Sequence, residues 1–245
     1  MSTYVLIHGA FRGGWYWGPV VERLQQFGHV VLAPTLTGMG ERRPAPGEPR
    51  PLVDRSTWVA DVVRSVTSCD EPVVLVGHSL GGVIAAQAAG EVPGWVAVLG
   101  FLDAPVLRPG QSPSDLYPPP PPGSPSPDLL AWSDPLPVNR NEIADSDTAT
   151  WMEANLTAMP VAPGFGPLVI ANAAALALRR RIAFCSQTGP MYPASLSRSE
   201  LDQRNVPYDL IEAGHDAPVS APELVVGWLR SLVAPMVGTL AVPDQ

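Results

Sequence analysis

The run Gly77-His78-Ser79-Leu80-Gly81 sets a serine between two glycines, directly after the β-branched stretch Val73-Val74-Leu75-Val76 and directly before the helical run Val83 to Ala89. The glycines remove side chains where a sharp strand-to-helix turn brings backbones together. Ser79 is left strained, with its hydroxyl exposed as a nucleophile. A hydroxyl is weak at its own pKa and needs a base. His215 is the candidate, because Ala213-Gly214-His215 follows the last strand and precedes the helix near Pro222. His78 inside the turn, His29 at the start of a strand and His8 at the end of one read as structural histidines.

An acyl intermediate also needs donors for its oxyanion. The glycine-rich segment His8-Gly9-Ala10-Phe11-Arg12-Gly13-Gly14-Trp15 follows the first strand. The N–H of Ala10 and that of Leu80, the residue after the nucleophile, are the expected pair. A turn required only for packing is the plainer alternative. Phe11 and Arg12 lie beside it. Arg12 is either a solvated arginine or a bidentate partner for a substrate carboxylate or phosphate.

Short apolar strands alternating with helical runs must hold these groups, the pattern of a parallel sheet covered on both faces. The sequence predicts strands at Thr3–Ile7, His29–Ala33, Pro72–Val76, Trp95–Leu102, Arg181–Cys185 and Pro207–Ile211. Helices are predicted at Trp17–Phe27, Thr57–Cys69, Leu80–Gly90, Leu196–Asn205 and Ala221–Leu232. One domain is expected, with residues 1–104 and 181–245 as its core and 105–180 as an insertion. The first part of the insertion, Pro105–Pro137, holds Tyr117 and the prolines 118–122, a polyproline run that cannot be helical and is read as a loop spacer, with a ligand for a proline-recognising domain as the alternative. Helix-compatible runs follow at Thr148–Met159 and Gly166–Arg179, read as a small helical cap. Trp132, Trp151, Met152, Met159 and Phe165 offer it apolar surface, as pocket roof or as cap core.

The chain has 245 residues, 46% of them hydrophobic and 16% charged, which excludes wholesale disorder. All 15 basic residues are arginine, against 23 acidic ones, giving a net charge of -8. That balance argues against nucleic acid as a partner. Cys69 and Cys185, far apart in apolar surroundings, are read as buried thiols. No apolar stretch is long enough for a bilayer, and the first strand begins almost at once, so a soluble, cytoplasmic protein is expected.

Val5-Leu6-Ile7-His8-Gly9-Ala10 with Gly14-Trp15, the turn Gly77-His78-Ser79-Leu80-Gly81-Gly82, Leu102-Asp103-Ala104 and Ala213-Gly214-His215 together resemble the α/β-hydrolase superfamily. Within it they resemble the plant-type methyl-esterase and hydroxynitrile-lyase branch and its bacterial relatives. The resemblance implies an α/β-hydrolase fold: a mostly parallel sheet flanked by helices, with a cap inserted after the strand ending near Leu102. It also implies an acid just after the strand that follows the cap. Here the sequence departs from the pattern. Thr188 stands where aspartate is expected, and no carboxylate occurs between Glu153 and Glu200. Asp103, at the end of the strand beyond the serine turn, is the substitute, with a purely structural Asp103 as the alternative. Asp209, Glu212 and Asp216 read as ordinary surface charges.

Two functions follow. One is a serine hydrolase cleaving a small to medium, largely apolar ester or thioester through an acyl-enzyme on Ser79, without cofactor or metal. The other is a non-hydrolytic lyase, decarboxylase or cyclase of a biosynthetic pathway, motivated by Thr188. Members of the branch with hydroxynitrile-lyase activity resemble one another in using a pocket lysine, and this chain has none. The expected partner is a small-molecule substrate, with a homodimer admitted and neither nucleic acid nor membrane expected.

Overall fold

The computed structural model describes residues 1–121, 123–143 and 145–233. Pro122 of the polyproline run, Ala144 of the insertion and residues 234–245 of the expected core lie outside the described residues. Strands β1 (Thr3–Ile7), β2 (Val30–Leu32), β3 (Val73–His78), β4 (Val96–Leu102), β7 (Arg180–Cys185) and β8 (Asp209–Ile211) form one sheet in the order β2-β1-β3-β4-β7-β8. Every pair in it is parallel. From β1 the chain steps outward to β2 and then crosses back to β3, so the order reverses between β1 and β3. The crevice beyond the carboxyl ends of such neighbours is where open α/β sheets bind ligands.

Both faces of the sheet are buried, and the period-2 alternation sorts its side chains into two cores. Val5, Ile7, Leu75, Phe101 and Phe184 face one way, against Trp58 and Val62 of α2 (Arg55–Thr67), Ile84 of α3 (Leu80–Glu91) and Leu201 of α5 (Pro193–Gln203). Tyr4, Leu6, Val76, Leu102 and Cys185 face the other, against Leu24 of α1 (Gly18–Gln26), Ala217 of α6 (Ala217–Ser220) and Leu229 of α7 (Pro222–Ser231). Cys185 is buried, whereas Cys69 is half-exposed.

The insertion between β4 and β7 is less helical than its composition suggests. It holds α4 (Ser146–Asn155), capped by Asp145 accepting from Thr148 N. It also holds a two-stranded antiparallel pair, β5 (Trp132–Ser133) and β6 (Met159–Pro160). The Gly166–Arg179 run is not a helix beyond the 3-10 turn Ala173–Ala177. Pro167 removes a donor, and Leu168 exchanges backbone bonds with Gly110 and Gln111 instead. Buried Arg55 of α2 donates to the carbonyls of Pro163, Gly166 and Pro167 at 3.0, 2.9 and 2.8 Å, tying this part of the insertion to the core.

Candidate active site

Ser79 joins β3 to α3 with φ 53° and ψ −130°. The turn admits no side chain at its glycines: a Cβ on Gly77 would lie 2.3 Å from the Gly81 carbonyl oxygen, and one on Gly81 2.5 Å from that of His8. Ser79 N donates to Leu102 O at 3.2 Å, and Gly82 N to Ser79 O at 2.9 Å. Four non-glycine residues in the described chain have positive φ. Three of them, Phe11, Ser79 and Asp103, follow the carboxyl ends of β1, β3 and β4. Each costs of order 1–3 kcal/mol, and such strain gathers at functional sites.

Asp103 is fully buried. Its Oδ1 accepts from Cys185 N at 2.9 Å, and its Oδ2 from Thr188 Oγ1 and His215 Nδ1, both at 2.6 Å. A carboxylate accepts, so Nδ1 of His215 carries the hydrogen and the Nε2 lone pair is free. The imidazole packs between the rings of His78 and Tyr192, at centroid distances of 4.6 and 4.5 Å. Its backbone N–H donates to Glu142 Oε2 at 2.7 Å, and its carbonyl accepts from His78 Nε2 at 2.8 Å. Burial, reinforced by His215 and Arg12, pushes His78 well below the ordinary histidine value. It is a neutral donor to the loop of His215 and lies outside the cavity lining.

The segment after β1 is fixed by His8. Leu36 N donates to His8 Nε2 at 3.0 Å, so Nδ1 holds the hydrogen bonded to Gly9 O at 2.9 Å. The Gly9–Ala10 peptide is trans, so the Ala10 N–H points away from that ring. Gly9 approaches the nucleophile: a Cβ there would meet Ser79 Cβ at 2.8 Å. Leu80 N is among the unsatisfied donors at the N-terminus of α3.

Ser79 and His215 open into a cavity of about 120 Å³ walled by Phe11, Leu136, Val138, Asn139, Leu156 and Tyr192. Arg12 and Asp216 also line it, but in a different way from the sequence reading. Arg12 is not free for an anion: its guanidinium pairs with Asp216, donates to Ala10 O at 2.8 Å and lies 5.0 Å from the Tyr16 ring centre. Asp216 is not a surface charge either. It is buried and also accepts from Tyr16 Oη at 3.1 Å. Burial alone would raise its carboxyl, yet Arg12, His215 and these hydrogen bonds hold it below the ordinary value.

The three insertion residues expected in the pocket are elsewhere. Met152 is fully buried in the core with Ile143 and Ala149. Trp151 meets Trp15 edge-on at 5.1 Å and is 42% exposed. Trp132 lies under Arg50, 5.4 Å from its guanidinium, and lines a separate cavity of about 270 Å³ with residues 43–48. Met159 is buried in the core and Phe165 is exposed. The lining residues that sequence reasoning missed, Leu136, Val138, Asn139, Leu156 and Tyr192, sit in loops or at element ends with no periodicity to mark them. A larger cleft of about 540 Å³, lined by Trp15, Glu41, Arg43, Asn155 and Leu156, contains neither Ser79 nor His215. Among the described residues no group of three His, Cys, Asp or Glu is arranged to hold a metal ion, and no helix is long and apolar enough to cross a membrane.

Comparison with known proteins agrees with this architecture. The chain is 37% identical over 119 residues to the carbendazim hydrolyzing esterase of Nocardioides sp., covering 48% of each chain. It is 36% identical over 103 residues to methylesterase 4 of Arabidopsis thaliana, covering 42% of this chain and 39% of that one. The aligned stretch thus spans about half, or less, of the curated relatives' length. The crystal structure of a methylesterase from Arabidopsis superposes with a TM-score of 0.74 over 95% of this chain and 99% of that chain, at 19% identity, a likeness of fold. The model of the alpha/beta hydrolase family matches residues 4–228. The chain belongs to the alpha/beta hydrolase family.

Proposed function

We propose that the protein is a serine esterase. His215 Nε2 takes the proton of Ser79 Oγ as the oxygen attacks a substrate carbonyl. The oxyanion is received by the N–H groups of Ala10 and Leu80, and the same imidazole returns the proton to the leaving group before water releases the acyl chain. Asp103 holds the Nδ1–H tautomer and stabilises the imidazolium. The observation that carries this reading is the 2.6 Å bond between Asp103 Oδ2 and His215 Nδ1, on a ring that lines one cavity with Ser79. Relatives named as esterases support ester hydrolysis as the reaction. The lyase alternative rests on a missing acid at Thr188, and the bond of Asp103 to His215 supports the hydrolase reading over it.

The cavity of about 120 Å³ is below the ~300–1,000 Å³ of pockets that enclose a drug-sized ligand. The substrate reading is therefore an ester whose small, largely apolar acyl or alkoxy part sits inside while the remainder extends outward. Leu156 lines both this cavity and the 540 Å³ cleft, and is the wall past which a longer group would extend. Hydrolysis of p-nitrophenyl acetate by the wild-type chain and by Ser79→Ala tests the assignment. Turnover should vanish in the variant with the fold unchanged, and undiminished turnover would refute it.

A further inference from the structure

We infer that Glu142, in the insertion, is a positioning residue for the catalytic base; this rests on the serine-esterase reading. Besides the Asp103 bond to the ring, three side-chain anchors hold the main chain at His215 and the neighbouring Asp216. His78 donates to the His215 carbonyl, Asp216 is bound by Arg12 and Tyr16, and Glu142 Oε2 accepts the His215 N–H at 2.7 Å. The first anchor comes from His78 at the end of β3, and the second from Arg12 and Tyr16 in the segment after β1. Glu142 belongs to the segment between β4 and β7, and of these three anchors it is the one that reaches His215 from the insertion.

The fit around Glu142 is close. A Cβ added to Gly214 would lie 2.5 Å from Glu142 Cβ and 2.9 Å from its Oε2, so the glycine before the histidine leaves room for this one side chain. Gly214 does not need glycine for a left-handed backbone, which leaves the close approach as the reason for its missing side chain. Asn139 Nδ2 donates to the other carboxylate oxygen at 2.6 Å, and Glu142 N donates to Asn139 O at 2.9 Å. Asn139, with Leu136 and Val138, walls the cavity that contains Ser79. One short segment therefore shapes the substrate's surroundings and fixes the main chain of the base. A group seated against Leu136–Asn139 presses on the residues that hold His215 in register with Ser79.

The experiment measures kcat and KM for p-nitrophenyl acetate, the rate of fluorophosphonate labelling of Ser79 and thermal melting. It compares wild type, Glu142→Ala, Glu142→Gln, Glu142→Gly, Gly214→Ala, the Gly214→Ala/Glu142→Gly double variant and Ser79→Ala. Loss of the anchor should lower kcat and the labelling rate about 10- to 100-fold in Glu142→Ala, with KM within about threefold, since a displacement of ~1 Å in a reacting group costs on that scale. Glutamine keeps an acceptor for the His215 N–H and should recover most of the rate. Gly214→Ala meets Glu142 Cβ at 2.5 Å and expels that side chain from the other direction, so it should lower kcat by itself and add little to Glu142→Gly, which has no Cβ to meet. Should Glu142→Ala fold poorly, Gly214→Ala and Glu142→Gln carry the test. An unchanged kcat in Glu142→Ala, Glu142→Gln as impaired as Glu142→Ala, or fully additive losses in the double variant would each overturn the assignment. A dead Ser79→Ala beside an intact Glu142→Ala removes the Glu142 proposal alone; a fully active Ser79→Ala removes the serine reading and this proposal with it.

Discussion

Thr188 donates its hydroxyl to Asp103 Oδ2 at 2.6 Å, on the same oxygen that receives His215 Nδ1. The residue standing where the resemblance expects an acid thus bonds the carboxylate at the end of β4 that the proposed mechanism uses as its acid. Asp103→Asn should lower kcat steeply with the fold kept; the corresponding loss in a serine protease is about 10⁴-fold, from the wrong imidazole tautomer. Thr188→Asp alone would set two carboxylates side by side and should also lose activity. Combined with Asp103→Asn, it should recover part of the rate. Steady-state kinetics on the three variants check this, and a double variant no better than Asp103→Asn would contradict it.

Arg12 and Asp216 form a pair with side-chain exposures of only 12% and 5%. Removing one partner of a buried pair leaves an uncompensated charge and typically costs about 3–5 kcal/mol. Arg12→Met and Asp216→Asn should each lower stability on that scale in urea melts, Arg12→Met by stranding the Asp216 carboxylate. The losses in the double variant should fall well short of additive. Arg12→Met should also slow turnover, because Arg12 links the loop of the base to the carbonyl of Ala10.

The serine turn was legible because strand, glycines and helix are adjacent in sequence, and Asp103 because it ends a strand beside that turn. The sheet was legible for the same local reasons: Thr3–Ile7 is the strand expected, and β4 and β7 begin within one residue of expectation. The Arg12–Asp216 pair was not, since its members lie 204 positions apart. No local pattern distinguishes a buried carboxylate from a solvated one. The Gly166–Arg179 run misled because helix propensity in its alanines and leucines lost to tertiary bonds: Asn172 N goes to Gly90 O, and Leu168 goes to Gln111. Met152 misled because it packs into the core with Ile143 and Ala149, and Trp151 because it lies against Trp15 near the surface instead of roofing the pocket.

Burial pushes His8 down from 6.5 to about 4, and His78 moves in the same direction. Both stay neutral in the folded chain over a range in which the unfolded chain binds protons. Their contribution to stability is fully present above pH 6.5 and is lost as pH falls toward 4. For His8 this amounts to about 3 kcal/mol. Melting temperature should fall steadily between pH 6.5 and 4 at constant ionic strength. A flat profile in that window would contradict it.

Leu156 lines both the 120 Å³ cavity and the 540 Å³ cleft. Leu156→Ala should raise the kcat/KM ratio of p-nitrophenyl octanoate to acetate about tenfold, on the scale of a few methylenes gaining a pocket. An unchanged ratio would show that longer acyl groups take another path.

The most direct test of the account is fluorophosphonate labelling of the wild-type chain, followed by mass spectrometry of its peptides. The predicted result is a single covalent adduct on Ser79, formed together with complete loss of ester hydrolysis and strongly slowed in His215→Ala and Asp103→Asn. Hydrolysis persisting after stoichiometric labelling, or an adduct on another residue with Ser79 unmodified, would contradict it.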